Sequence, residues 1–399
     1  MLNFQLHMPT RILFGAGEVE KAGEEAAQYG RKLLLVTGRT ATKKTGVLDR
    51  VVRSLQTAGL EVLVFDRIEP NPRAATIDEG GRIAREAKCN AVIALGGGSV
   101  MDAAKAIATV AVSNRPIHEY LAGGQTGLWK ELLPIREALP VITIPTLAAT
   151  GSEANSIAVV TNWETKEKAS ISGPALFPVV AILDPELTYT VPASYTADGC
   201  ADIFTHLYEG YLTGEGNAHV QDEITEGLMR TVIRFSRTVL DDPTNYEARA
   251  AILWASTLAL IGIAGAGRGG SFPLHQMEHP LSGHYDISHG RGLAILAPAY
   301  FRHVYRDRPE RFARMGRRVF GVQETDDLKA AEAAIAAVEA WFAEIGVAGS
   351  LKKQGIPRDA LARMAADAVR IGGRGNGFIP GIRELREPDV LAIYEACYE

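Results

Sequence analysis

Short, almost wholly apolar runs alternate with stretches of helical periodicity over the first half of the chain. Lys32-Leu33-Leu34-Leu35-Val36 predicts a strand running toward Gly38, and a helix follows from about Lys44 to Thr57. Glu61 to Phe65 predicts another strand. Pro70-Asn71-Pro72 predicts a stiff loop, because each proline fixes its own φ and restrains the residue before it. A helix from about Ala75 to Ala87 leads to the strand Ala91 to Leu95, and a further helix leads to the strand Val141 to Ile144. Continuous apolar strands separated by helices read as a parallel sheet covered on both faces.

The pattern changes after about Pro192. Helical periodicity takes over, at 248–260, 328–345 and 358–371 for example, and β-branched runs become few. The expected organisation is an α/β domain built on a parallel sheet over residues 1–190, followed by an all-helical domain over residues 191–399. The longest apolar stretch, Ile252 to Ala266, is too short to span a membrane and predicts a buried helix.

Composition narrows the functional classes. The 399 residues are 47% hydrophobic and 22% charged, enough for large cores and against disorder. The net charge of −5, with no basic block, gives no electrostatic reason to expect nucleic acid. Cys89, Cys200 and Cys397 are odd in number and widely spaced, which argues against a disulfide framework and for a cytoplasmic location. The first residues lack the basic-then-apolar order of a signal peptide.

Two loops carry candidate phosphate chemistry. Leu95-Gly96-Gly97-Gly98-Ser99-Val100-Met101-Asp102 joins a strand to a helix. Glycines there let backbone N–H groups approach a pyrophosphate, and the helix N-terminus adds unpaired donors and positive potential. The plainer alternative is a tight turn capped by Ser99. Ile144-Pro145-Thr146-Leu147-Ala148-Ala149-Thr150-Gly151-Ser152-Glu153 also follows a strand, where ligands sit in open α/β sheets. Its plainer alternative is helix capping by Thr150 or Ser152.

The helical half carries a candidate metal set. Asp202 and His206 are spaced i, i+4, which puts them on one helix face, and His275 and His279 repeat that spacing. His289 follows after an expected stop at Gly283. Pro280 predicts that the helix bearing His275 is kinked there or begins close to it. One carboxylate with imidazoles suits Fe²⁺ or Zn²⁺. A lone histidine is more often a core or surface residue, and His7, His118, His219 and His303 keep that reading, while His284 stays ambiguous.

Taken together, these motifs resemble the iron-containing (group III) alcohol dehydrogenase family, and within it the butanol dehydrogenase-like branch. The carrying residues are Glu69-Pro70-Asn71-Pro72, Gly96 to Ser99 with Asp102, Pro145-Thr146 through Glu153, Asp202-Ile203-Phe204-Thr205-His206, and His275-Gln276-Met277-Glu278-His279 running to Asp286-Ile287-Ser288-His289-Gly290. The resemblance implies a two-domain enzyme, a Rossmann-like dinucleotide-binding domain followed by a metal-binding and catalytic domain, with its active site in the interdomain cleft. It implies metal ligands at Asp202, His206, His275 and His289, and makes His279 a non-ligand that relays a proton or orients substrate. It places Gly97, Gly98 and Ser99 at the pyrophosphate, and Asn71, Thr146, Thr150 and Lys168 around the rest of the cofactor.

One departure bears on the cofactor. Where NAD-preferring relatives often carry an acidic residue after the second strand, this chain has Gly38, followed by Arg39 and Lys43. The absent carboxylate and the two cations favour a 2′-phosphate, hence NADP(H) over NAD(H), the plainer alternative being that Arg39 and Lys43 are solvated surface charges. The expected function is metal-dependent hydride transfer between NAD(P)(H) and a primary alcohol or aldehyde, in a cytoplasmic homodimer that binds neither nucleic acid nor membrane. The alternatives are a metal- and NAD-dependent lyase or synthase resembling dehydroquinate synthase, which needs a cationic pocket that the sparse Arg and Lys near the cluster do not supply, and a non-catalytic dinucleotide sensor, which needs no metal set.

Overall fold

The structure, a computed structural model, describes residues 1–121 and 135–399. These form two compact units: Met8–Val191 with Pro243–Leu253, and Met1–His7 with Pro192–Asp242 and Trp254–Glu399.

The first unit is the α/β one. Along the chain it comprises β1 (Arg11–Phe14), α1 (Ala22–Ala27), β2 (Lys32–Gly38), α2 (Ala41–Lys44), α3 (Val47–Thr57), β3 (Glu61–Ile68), α4 (Ala74–Glu86), β4 (Ala91–Gly96), α5 (Gly98–Ser113), β5 (Val141–Pro145), β6 (Ile157–Asn162), β7 (Glu167–Ser172) and β8 (Val180–Leu183). Six strands form a parallel sheet in the order β1-β8-β5-β4-β2-β3, and β6 and β7 pair antiparallel as a separate ribbon. Strand side chains alternate between faces. Leu33, Leu35, Ile93, Leu95, Ile142, Ile144 and Ile182 pack on one face with Val51 and Leu55 of α3. Leu34, Val36 and Val92, at alternate positions, are equally buried, so the strands read as unbroken apolar runs.

This strand order creates one switch point. β2 connects outward to β3 on one side, whereas its neighbour β4 connects to β5 on the other. The crevice beyond the carboxyl ends of two such strands is where open α/β sheets bind ligands. The loops that open there are Gly38–Lys43 and Gly96–Ser99.

The second unit is helical: α6 (Ala193–Thr213), α7 (His219–Asp241), α8 (Tyr246–Leu260, whose first part belongs to the α/β unit), α9 (Pro273–Tyr285), α10 (His289–Val304), α11 (Pro309–Val319), α12 (Asp327–Glu344), α13 (Leu361–Gly372) and α14 (Glu387–Ala396). α6 is buried along nearly its whole length and packs against α7 and α10, while α9 packs against α10 and α13. A helix buried on nearly all sides is a central one, and its buried polar residues Asp202, His206 and Glu209 stand out against that setting.

Several expectations need correction. The helix expected through Ala266 stops at Leu260, because Gly262 (φ 104°) and Gly267 (φ 66°) turn the chain instead. α9 begins at Pro273, where a missing N–H costs no helical bond, and runs on through Pro280. It ends at Tyr285, closed by Asp286 (φ 58°), rather than at Gly283. Gly97, not Ser99, is the residue preceding α5, and no helix follows Thr150 or Ser152 for either to cap.

Candidate active site

Asp202 and His206 lie one turn apart on α6, both buried, with His206 Nδ1 3.6 Å from Asp202 Oδ1. α9 supplies His275 in its first turn, and α10 begins with His289. One ligand atom from each of Asp202, His275 and His289 lies within 4.8 Å of the other two. The His275 Nε2 to Asp202 Oδ1 distance is 4.0 Å. Two ligands about 2.0–2.2 Å from one cation are at most about 4.4 Å apart, so this pair fits a shared divalent ion. The His206 ring lies alongside this trio, stacked on that of His275 with centroids 4.7 Å apart. His279 is buried one turn beyond His275, its ring centroid 5.8 Å from that of His289.

Close helix packing assembles the trio. A Cβ on Gly290 would stand 2.0 Å from the carbonyl oxygen of Asp198, so only glycine lets the start of α10 meet α6 there. Arg291 locks the contact by donating to Asp198 Oδ1 at 2.8 Å. His289 is thereby carried to Asp202.

Two buried glutamates that sequence reasoning missed stand behind the histidines. Glu209 of α6 accepts from the backbone N–H of Leu274 at 2.6 Å and of His275 at 3.4 Å, and also contacts His275 Nδ1. Burial pushes its carboxyl well above the usual carboxylate range, against the pull of those two N–H groups. Glu278 of α9 contacts His289 Nδ1 through Oε2 and accepts the Ser282 hydroxyl at Oε1. Glu209 carried a signal, being one more turn along the face of Asp202 and His206. His284 pairs with Asp367 at 2.9 Å and His303 with Asp389 at 3.0 Å, so both do structural duty.

In the α/β unit, the glycine loop lies at the carboxyl end of β4, with Gly97 just before α5. Thr146 N donates to Gly96 O at 3.0 Å, tying the two candidate loops together. A Cβ on Gly98 would come within 2.5 Å of Thr150, so that glycine also serves loop packing, whereas one on Gly97 would meet only Leu147, at 3.4 Å. Asp102 accepts the Ser152 hydroxyl at 2.5 Å and the Val159 N–H at 2.9 Å, so its carboxylate braces the second loop against α5. Asn71, at φ 48°, accepts from Lys168 Nζ at 3.0 Å, which joins two of the expected cofactor residues. Ser99 is the second residue of α5.

Beyond Gly38 the picture is mixed. Arg39 is ion-paired with Glu69 and Lys43 with Asp66. Lys105, another residue missed in the sequence, is wholly buried in α5 and donates to Ser152 Oγ, Asn155 Oδ1 and the Ile157 carbonyl at 2.8–3.1 Å. Burial brings its ammonium down to about 8, against the pull of Asp102 and Glu153.

The family described as iron-containing alcohol dehydrogenase matches residues 9–185, and its C-terminal part matches residues 196–398. The chain is 37% identical over 400 residues to NADH-dependent butanol dehydrogenase A of Clostridium acetobutylicum, covering all of both proteins. It is 37% identical over 364 residues to the NADPH-dependent aldehyde reductase YqhD of Escherichia coli, covering 90% of this chain and 91% of that one. The crystal structure of an NADH-dependent butanol dehydrogenase A from Thermotoga maritima superposes with a TM-score of 0.93 at 36% identity, covering 100% of this chain and 99% of that one.

Proposed function

The chain belongs to the iron-containing alcohol dehydrogenase family, and we propose that it transfers a hydride between NAD(P)(H) and a small primary alcohol or aldehyde. The observation that carries this reading is the convergence of Asp202, His275 and His289 from three separate helices. Its donor set, one carboxylate and two imidazoles with His206 alongside, suits Fe²⁺, with Zn²⁺ as a competent substitute. When bound, the cation supplies Lewis acidity toward a carbonyl or alcohol oxygen, and the dinucleotide supplies or accepts the hydride.

The protein's own residues do the rest. Asp202, His206, His275 and His289 hold the cation. The burial of Asp202, His206 and His275 limits bulk water at those ligand atoms. His279, close to His289 but outside the trio, passes a proton to or from the substrate oxygen, a role suited to an imidazole at neutral pH. Backbone N–H groups of Gly97, Gly98 and Ser99 receive the pyrophosphate at the start of α5, with Thr146, Thr150, Asn71 and Lys168 around the remainder and Asp102 bracing the loop.

The finer reading of the cofactor favours NADP(H), with Gly38, Arg39 and Lys43 around the 2′-phosphate. The enzyme is further read as a cytoplasmic homodimer, in keeping with its buried cysteine thiols. Among the described residues no helix is long and apolar enough to cross a membrane. The test is anaerobic loading of metal-free protein with Fe²⁺ or Zn²⁺, then NADPH and NADH oxidation across a series of aldehydes. Metal-dependent oxidation is expected, and its absence with every aldehyde in a fully loaded protein would overturn the reading.

A further inference from the structure

Each of the two converging imidazoles has its Nδ1 against the carboxylate of a wholly buried glutamate. Glu209 reaches His275 from α6, and Glu278 reaches His289 from α9. We infer that Glu209 and Glu278 are positioning residues that hold His275 and His289 as Nδ1–H tautomers, leaving each Nε2 lone pair to face Asp202. This rests on the metal-centre reading above for its purpose, though not for its geometry.

The neighbouring donors point to the direction of each contact. Both Glu209 oxygens act as acceptors, Oε1 from the Leu274 N–H and Oε2 from the His275 N–H. With backbone N–H groups already on both oxygens, the ring nitrogen that faces Oε2 is assigned as the donor. Glu278 accepts the Ser282 hydroxyl at Oε1, which leaves Oε2 to take the His289 Nδ1–H. An imidazole has only two nitrogens, and a proton on Nδ1 makes Nε2 the electron-pair donor. His275 Nε2 lies 4.0 Å from Asp202 Oδ1, the side where a cation would sit. A carboxylate behind a ligating histidine also sets the ring's angle and raises its basicity. Glu209 does this twice over, because it holds the peptide N–H of His275 as well as the ring. At the first turn of α9 its carboxylate serves the helix-start amide donors that a capping side chain would otherwise serve. Glu278 has its room because residue 292 is glycine: a Cβ there would fall 2.8 Å from Glu278 Cγ.

The two sites differ in how an amide would behave, and that difference makes the inference testable. Gln at 209 has one acceptor oxygen for a site that needs two. One orientation sets its NH₂ against the Leu274 N–H. The other turns its NH₂ toward His275 and forces the Nε2–H tautomer, which cannot ligate. Gln at 278 keeps its carbonyl on His289 while its NH₂ donates to the Ser282 hydroxyl, which can rotate to accept.

The experiment uses the full-length protein with ¹⁵N-labelled histidine, stripped of metal, and has two readouts. Long-range ¹H–¹⁵N spectra report the tautomer of each ring in the metal-free protein, and chelator competition reports Zn²⁺ affinity. Metal-free wild type is expected to show Nδ1–H at both His275 and His289. Glu209→Gln and Glu278→Ala are expected to weaken Zn²⁺ binding about ten- to hundredfold, and Glu278→Gln only a few fold. Nε2–H tautomers in wild type, or wild-type affinity in folded Glu209→Gln and Glu278→Ala, overturn the inference. If a variant does not fold, the wild-type tautomers decide. Nδ1–H tautomers in a wild type that binds no divalent metal would instead sink the metal-centre reading and leave the positioning intact.

Discussion

Arg39, just past the end of β2, donates to Glu69, just past the end of β3, at 2.8 Å. Lys43 is paired in the same way with Asp66. The two cations offered to a 2′-phosphate are therefore already held by carboxylates of the neighbouring strand, and the phosphate must displace them. A charge-assisted contact contributes about 1.5–3 kcal/mol, and exchanging one such contact for another returns only part of it. The expected NADPH preference in kcat/KM is therefore at most about tenfold, or about 1.4 kcal/mol. Glu69→Gln releases Arg39 and should raise the NADPH-to-NADH ratio. Gly38→Asp should invert it, because a Cβ there meets nothing closer than the Ile68 carbonyl oxygen at 3.8 Å. A wild-type ratio that favours NADH and stays put in Glu69→Gln would show that these cations face solvent.

The proposed metal centre makes a sharper prediction, because loss of a ligand and loss of the proposed proton relay give different outcomes. His275→Ala and His289→Ala should each abolish stoichiometric metal, measured by elemental analysis after desalting. His279→Ala should keep its metal and lose about a hundredfold or more in kcat, the range of a missing acid–base group. Full occupancy in both ligand variants would refute the site. Metal loss in His279→Ala would make that residue a ligand.

Gly290→Ala tests how α10 delivers His289. The added methyl would lie 2.0 Å from a backbone oxygen, and neither helix can yield cheaply. Overpacking of this kind costs about 1–3 kcal/mol. We expect a lower Tm together with weaker metal binding, since the strain moves His289 away from Asp202. Unchanged metal affinity at a lowered Tm would show that the contact holds the fold without setting the site.

The proposed pyrophosphate contact of the glycine loop is better probed at Gly97 than at Gly98. Gly98 is already required by its contact with Thr150, so its substitution confounds packing with binding. Gly97 has φ −81° and ψ −171°, open to any residue, and its neighbour Leu147 is at ordinary contact distance. Gly97→Ala should leave Tm near wild type and raise the cofactor dissociation constant about tenfold or more. Unchanged affinity would place the pyrophosphate elsewhere.

How legible these features were depended on the range of the interaction behind them. The central strands β2, β4 and β5 are apolar on both faces, so the local pattern marked them. β1, β8 and the β6–β7 ribbon are short or half-exposed and become strands only by pairing with partners, Arg11 with Val180 for example, far away in sequence. The i, i+4 spacings of Asp202–His206 and His275–His279 are helix-local and were readable. Glu278 was quoted within a motif without a role, because its partner His289 is reached only when α9 and α10 fold together. Lys105 could have been flagged as the one charge inside the apolar run from Ala103 to Val112.

Lys105 also supplies a pH-dependent test of the α/β unit. Its amino group is fully buried, with a folded-state value of about 8 against 10.5 when exposed. Burial therefore disfavours the charged form. Below about pH 8 both folded and unfolded chains carry the proton, and the penalty is fully present. Between about 8 and 10.5 the unfolded chain holds a proton that the folded one has released, so stability rises with pH. Above 10.5 neither holds it and the penalty is gone. The whole span corresponds to on the order of 3 kcal/mol. Lys105→Met removes the titration, since Met carries no proton at any pH. The unfolding free energy of wild type relative to Lys105→Met, from urea titrations, should thus climb by on the order of 2 kcal/mol between about pH 8 and 10. A difference flat across that range would mean that Ser152, Asn155 and the Ile157 carbonyl hold the ammonium charged as firmly as water does, and that the cation behind the 152–157 segment is permanent.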